Sequence, residues 1–300
     1  MAPRERLAAD MTITIVGLGL MGGSLALALR RYSEVPRLIG VVRSPERAEE
    51  ARQYRVVDEV TVDLEAGVQE ADLVVLATPV RTLIRQIRRI GPYLRPDAVV
   101  LDLGSTKTAI CQAMAALPEH VQPVGGHPMC GKEVAGLAHA EATLYDGATF
   151  VLCPLPRTAP WALALCHDLI DRLGARPLIL EPQRHDELVA AISHLPYLLS
   201  VALVAAAHRV GEKDPRVWRV AASGFRDTSR LASSDVKMMM DILLTNRDAV
   251  LSMIDTYLTE LHTLRELLEQ GEEGALYLHL TSMKTLRDAH FAQREFSAHE

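Results

Sequence analysis

The sequence predicts an α/β protein: a doubly wound sheet at the N-terminus followed by an all-helical C-terminal domain. Three observations carry this reading. Residues 12–22 run Thr-Ile-Thr-Ile-Val-Gly-Leu-Gly-Leu-Met-Gly, an apolar, β-branched strand leading into Gly-x-Gly-x-x-Gly and then a helical pattern. Apolar runs alternate with helical spacing as far as Glu181. After Pro182 the strand signal stops and only helical spacing remains.

The first strand and its glycines form a dinucleotide-binding fingerprint in its required setting, which makes the N-terminal fold Rossmann-like. Gly17 permits the tight turn, Gly19 lets the backbone approach a pyrophosphate, and Gly22 lets helix and strand pack closely. Leu20 and Met21 complete the cofactor loop, and the helix predicted over 21–31 offers its N–H groups and dipole to phosphates. A glycine-rich structural turn is the plainer alternative. The first ten residues lack the apolar stretch of a signal peptide and read as a short, mobile extension.

Further strands are expected at 38–42, 73–77, 99–103, 123–125, 149–152 and 177–180. Helices are expected at 45–54, 80–90, 107–115 and 159–173. Such alternation implies a parallel sheet, with room for a mixed edge. Beyond Pro182, helical spacing covers 186–209, 215–222, 236–244, 247–268 and 272–291, punctuated by Pro215, Gly271 and Gly274. The expected division is a dinucleotide-binding domain over 1–181 and a helical substrate and dimerisation domain over 182–300. The stretch 188–207 carries no Asp, Glu, Lys or Arg and is long enough to cross a bilayer. Its Ser193, His194, Pro196, Tyr197 and Ser200 fit better in a helix buried on all sides inside a domain or dimer.

Bulk properties narrow the function. Three hundred residues suit two domains. A net charge of -6 argues against general nucleic-acid binding. Cys111, Cys130, Cys153 and Cys166 lack metal-ligand spacing, so no metal is expected and reduced cytoplasmic thiols are the default. Cys130 reads as a small apolar filler. The chain is therefore expected to be a soluble, cytoplasmic protein.

The cofactor reading turns on the second strand. A carboxylate at its tip normally binds the adenosine ribose of NAD, yet none occurs between Pro36 and Pro45. Arg43 and Ser44 stand there instead, suited to a 2′-phosphate through charge-assisted bonds. NADP is expected over NAD. The alternative for Arg43 is an exposed turn residue.

Three segments carry chemistry. In Gly104-Ser-Thr-Lys107, Ser105 and Thr106 either cap the next helix or point into the cleft at the strand ends. In Gly125-Gly-His-Pro-Met-Cys-Gly131, glycines fix a loop with His127 at its apex, an imidazole suited to proton transfer near neutral pH. Glu133 either lines the same pocket or begins a helix. In Ser223-Gly-Phe-Arg-Asp-Thr-Ser-Arg230, Arg226 and Arg230 share a helix face and suit an anion bearing carboxylates, or else pair with Asp227 and its neighbours.

In order, these segments together with Thr78-Pro79 and Ser193-His-Leu-Pro196 resemble the prephenate/arogenate dehydrogenase family of tyrosine biosynthesis, over about residues 12–250. The resemblance implies oxidative decarboxylation of prephenate or arogenate, with hydride passing to NADP or NAD. It implies that His127 assists deprotonation of the ring 4-hydroxyl and that Ser105 shares that hydroxyl. Arg230 would grip the ring carboxylate, with Arg226 as a cationic helper and Thr78 and Pro79 near the nicotinamide ribose. His194 and Tyr197 would line the substrate site, Tyr197 replacing a histidine common in the family. A homodimer through the helical domain is expected. Two other readings remain: a β-hydroxyacid dehydrogenase, disfavoured by the lack of Lys between Leu188 and Arg209, and a non-catalytic NADP-binding module.

Overall fold

The computed structural model describes residues 4–297. Its first half runs β1 (Thr12–Val16), α1 (Leu20–Leu29), β2 (Arg37–Val41), α2 (Pro45–Tyr54), β3 (Glu59–Thr61), α3 (Leu64–Val68) and β4 (Leu73–Leu76). There follow α4 (Val80–Ile90), β5 (Val99–Asp102), α5 (Thr108–Ala115), β6 (Gln122–Pro128), β7 (Thr149–Pro154), α6 (Pro160–Arg172) and β8 (Arg176–Ile179). The strands form one sheet in the order β3-β2-β1-β4-β5-β6-β7-β8. All neighbours pair in parallel except β6 and β7, so the mixed edge lies at the β7–β8 end.

Apolar side chains fill both faces of the central strands, as a parallel sheet covered by helices requires, while at the edges β3 is partly exposed and β8 exposed throughout. On one face Ile13, Ile15, Val75 and Leu101 pack under α1 and α6. On the other, Val16, Val74, Leu76 and Val100 meet Leu83 and Ile87 of α4 and Ile110 and Met114 of α5. The chain order reverses between β1 and β4, and this switch point opens a crevice at the carboxyl ends of the strands. Gly17, Arg43, Thr78, Ser105 and His127 all lie at that edge.

The structure departs from expectation in four places. The N-terminal extension is anchored, not mobile: Leu7 is buried, its N–H donates to Asp168 Oδ2 (2.9 Å), and its carbonyl accepts from Arg172 Nη2 (2.7 Å). Met1, Ala2 and Pro3 lie outside the described residues. The short β3 and α3 carry too few residues for their periodicity to register. His127 is not at a loop apex, because β6 continues through it in register with Val151 of β7.

The fourth departure concerns the long apolar helix. After β8 the chain forms α7 (Pro182–Val189), a π-helical turn (Ala190–His194) and α8 (Leu195–Gly211). Pro196 has no N–H to offer the carbonyl four residues earlier, which accounts for the widened turn. The continuous helix Pro182–Gly211 is long and apolar enough to cross a membrane, and 33% of its most apolar window is buried. It is therefore not buried on all sides within one chain: Ile192, Val201 and Val210 are exposed, while His194 and Ser200 point inward.

The remaining helices are α9 (Val217–Val220), α10 (Ser223–Ser229), a 3-10 turn (Arg230–Ser233), α11 (Val236–Thr245), α12 (Arg247–Gln270) and α13 (Glu273–Ser297). The chain divides into two compact units, Met1–Arg247 and Asp248–Glu300. Within the second unit, leucines of α12 and α13, among them Leu258, Leu261, Leu268 and Leu280, line an open apolar groove of about 630 Å³.

Candidate active site

The fingerprint glycines each meet a steric demand. Gly17 sits at φ +100°, and a Cβ there would lie 2.8 Å from both the Ala77 carbonyl oxygen and Thr78 Cγ2. A Cβ on Gly22 would strike the Gly17 carbonyl and come within 3.0 Å of Ile15. Gly19 differs, because nothing lies within 4 Å of its Cβ position. It is the N-cap of α1, and no side chain caps that helix end. Open space beside free N–H groups fits a dinucleotide pyrophosphate, so these residues suit the cofactor expected from the sequence. Leu20 and Met21 form the first turn of α1, with the Met21 carbonyl fixed by the Tyr145 hydroxyl at 2.7 Å.

Thr78 borders the Gly17 turn, its hydroxyl donating to Gln86 Oε1 (2.6 Å), and Pro79 is the N-cap of α4. Arg43 is exposed just past β2 and forms no ion pair among the described residues. Ser44 caps α2, its hydroxyl accepting from the Arg47 N–H at 3.4 Å.

Around His127, α5 and β5 crowd β6 so closely that only glycine fits at 125 and 126. A Cβ on Gly125 would lie 2.7 Å from Cys111 Sγ, and one on Gly126 would overlap the Asp102 carbonyl. Asp102 then ties the strands together, accepting from the Gly126 N–H through Oδ1 (2.9 Å) and from the Gly104 N–H through Oδ2 (2.8 Å). Lys107, fully buried, pairs with Asp102 Oδ2 and donates to the Gly126 carbonyl at 2.5 Å. Burial pushes the Asp102 carboxyl above its usual range, with Lys107 and the two N–H groups opposing it only in part.

Ser105 and Thr106 do not cap α5. That helix begins at Thr108, and its leading N–H groups are held by a carboxylate from a distant helix. Asp186 of α7 accepts from the Lys107 N–H (2.7 Å) and the Thr108 N–H (2.8 Å). Thr106 shares a hydrogen bond with Thr245 instead, at 2.9 Å. Ser105 is half-buried and its side chain has no hydrogen-bond partner among the described residues.

The same Asp186 carboxylate lies 2.8 Å from His185 Nδ1, and His185 Nε2 lies 2.8 Å from His127 Nδ1. Both His185 and Asp186 are buried, whereas His127 is half-buried. His127 Nε2 has no hydrogen-bond partner among the described residues and is not a buried unpaired atom, so it is open to a ligand. Burial first, then the proximity of His185, Lys107 and His194, hold the His127 imidazole well below the ordinary histidine value. Burial works against the Asp186 carboxylate, but the His185 bond and the N–H groups of Lys107 and Thr108 outweigh it and leave it below its usual range.

His194, buried in the π turn, is pushed down to about 4, chiefly by burial, with Asp186 opposing and His185 adding to the shift. Its Nδ1 accepts from Asn246 Nδ2 at 3.2 Å, and that amide also donates to the Asp186 carbonyl at 2.7 Å. Tyr197 is buried beside Met239 and Ile242. Arg230, in the 3-10 turn after α10, pairs with Glu133, which lies in an irregular segment and begins no helix. Arg226, on α10, is exposed beside Asp227, its Nε 3.4 Å from the carboxylate. The structure thus gives the two arginines different carboxylate partners. Cys130 is pushed up to about 11 by burial, which leaves it a thiol.

Sequence reasoning missed His185, Asp186, Asn246 and the Asp102–Lys107 pair. Arg184-His-Asp-Glu187 reads as the solvated start of a helix, and no local signal shows that its middle two residues face inward. Asp102 followed at five residues by Lys107 across a glycine turn is the one available hint.

Comparison with known proteins identifies the family. Residues 25–179 match the family model for the prephenate dehydrogenase nucleotide-binding domain, and residues 181–282 match that for the prephenate dehydrogenase dimerization domain. The chain is 36% identical to the prephenate dehydrogenase of Bacillus subtilis (strain 168) over 279 residues, covering 92% of this chain and 75% of that protein. The crystal structure of Synechocystis arogenate dehydrogenase superposes with a TM-score of 0.83 at 35% identity, over 93% of this chain and 100% of that one. A prephenate dehydrogenase from A. aeolicus, in complex with hydroxyphenyl propionate and NAD+, gives a TM-score of 0.86 at 31% identity, over 92% and 97% of the two chains. A dinucleotide crevice, an imidazole at its edge and both family models across the chain lead to one conclusion: this chain belongs to the prephenate dehydrogenase family, oxidoreductases that carry out an oxidative decarboxylation in tyrosine biosynthesis.

Proposed function

We propose that His127, in its neutral form, is the base of this oxidative decarboxylation, acting on the ring hydroxyl of prephenate or arogenate. The observation that carries the reading is its placement: a half-buried imidazole with an open Nε2, at the sheet edge that also bears Gly19 and Ser105. Burial keeps the ring uncharged at neutral pH, so Nε2 can accept a proton. Ser105 Oγ hydrogen-bonds the same hydroxyl and orients it. Arg230 holds the ring carboxylate by exchanging Glu133 for the substrate, and Arg226 adds positive charge nearby. His194 and Tyr197 border the substrate side chain.

When bound, the nicotinamide supplies the acceptor for the hydride released as the hydroxyl carbon becomes a carbonyl. Gly17, Gly19, Leu20, Met21 and Gly22 would hold its pyrophosphate, and Thr78 and Pro79 its nicotinamide ribose. Arg43 and Ser44, with no carboxylate at the β2 tip, favour NADP over NAD. Domain roles follow the chain: 1–181 carries the cofactor, and 182–300 carries substrate contacts and the interface of a homodimer. The dimerization-domain match and the exposed apolar residues of α8 support that interface. Inward-facing His194 and Ser200 favour a packed α7–α8 helix over a membrane span, in a soluble cytoplasmic enzyme.

The test is an assay of purified protein with prephenate or arogenate and with NADP or NAD, following the absorbance of the reduced cofactor. Turnover with NADP and at least one substrate is expected. Absence of cofactor reduction with all four pairs would overturn the reading.

A further inference from the structure

Asp186 joins two parts of the site that are far apart in sequence. One carboxylate receives the N–H groups of Lys107 and Thr108, directly after Ser105 and Thr106, and also lies against His185. His185 in turn touches His127 at 2.8 Å, with the rings crossing at 69°. An ionised carboxylate only accepts hydrogen bonds, so the hydrogen between Asp186 and His185 sits on His185 Nδ1. With one proton on each ring, His185 Nε2 then carries a lone pair and His127 Nδ1 must be the donor.

We propose that His185 and Asp186 are positioning residues that fix His127 as its Nδ1–H tautomer, leaving a lone pair on Nε2 for the substrate hydroxyl. The inference rests on reading His127 as the base. The wrong tautomer would place an N–H at Nε2 and abolish proton acceptance, the principle by which a buried carboxylate orients histidine in hydrolytic triads. The proton taken from the hydroxyl stays on His127 Nε2. The Nδ1–H of the resulting cation remains donated to His185, and the Nδ1–H of His185 remains donated to Asp186. Because Asp186 also grips the start of α5, it sets Ser105 and His127 relative to each other.

Two readouts test this. His185→Leu removes the acceptor, and kcat should fall by about 10²-fold, the scale of general-base catalysis, with KM and cofactor Kd within about twofold. His185→Gln keeps an acceptor of similar reach and should recover most of the lost rate. Independently, ¹⁵N NMR of histidine-labelled wild-type protein should show His127 protonated at Nδ1 and bare at Nε2. An Nε2–H resonance for His127, or unchanged kcat in His185→Leu, would overturn the proposal. Should His185→Leu not fold, the wild-type tautomer and the Gln variant decide. A wild type that oxidises neither substrate defeats the functional reading, and the NMR tautomer still judges the positioning role.

Discussion

Lys107 and Asp102 form an ion pair in which neither side chain keeps any exposure to solvent. Removing one member strands a buried charge, which typically costs about 3–5 kcal/mol. Lys107→Ala should therefore lower unfolding stability on that scale, read from urea midpoints. A change below about 1 kcal/mol would show that the pair is dispensable. The joint Asp102→Leu, Lys107→Met replacement should cost less than Lys107→Ala, since it strands no charge.

His127→Asn should lower kcat by about 10²–10⁴ while cofactor Kd stays near wild type. Because the imidazole is held well below its ordinary value, wild-type kcat should stay flat as pH falls from 8 through the normal histidine range near 6.5, dropping only at lower pH. A pH–rate profile with an inflection at about 6.5–7 would contradict the buried neutral base.

His194 predicts a stability change with a definite sign. Its folded value is pushed down to about 4, below that of the unfolded chain, so the unfolded state binds the extra proton first. The contribution is fully present above about pH 6.5 and is lost as pH falls towards about 4, with a magnitude on the order of 3 kcal/mol. His194→Gln should flatten that part of the pH profile of urea midpoints. An unchanged slope would refute the assignment.

Arg230→Ala should raise substrate KM at least about tenfold, the worth of one hydrogen bond to a charged group, with a smaller change in kcat. Stability should change by less than about 1 kcal/mol, because the Arg230–Glu133 pair is largely exposed on both sides. Steady-state kinetics beside a denaturation curve separates the two outcomes.

Arg43→Ala should lower kcat/KM for NADP relative to NAD by about ten- to a hundredfold, again the worth of a charge-assisted hydrogen bond. An unaltered cofactor ratio would assign Arg43 to the solvent-facing turn.

Much of the fold was legible because long periodic segments declare themselves. α2 and α4 fall at the residues their patterning indicates, and the Gly-x-Gly-x-x-Gly loop lies where strand meets helix. β3, with three residues, has no period to read, and the extension from Arg4 to Asp10 carries only Leu7 as a burial signal. At the site, His127 was marked by its glycines, and those glycines serve close packing of β6 against Asp102 of β5 and Cys111 of α5 rather than a loop. His185 and Asp186 were hidden because a polar pair at the start of a helix normally faces water. Their partners, α5 and β6, come from another stretch of chain. The cap of α5 was invisible for the same reason, being supplied 78 residues away in sequence from Thr108.

The seating of α5 on Asp186 has a practical consequence for thermal inactivation. The carboxylate that closes the helix end also steadies the imidazole pair, so the strand-five turn cannot fray while the histidines stay in register. Catalytic competence and cooperative melting should then share one temperature, with no range of intact but inert protein between them.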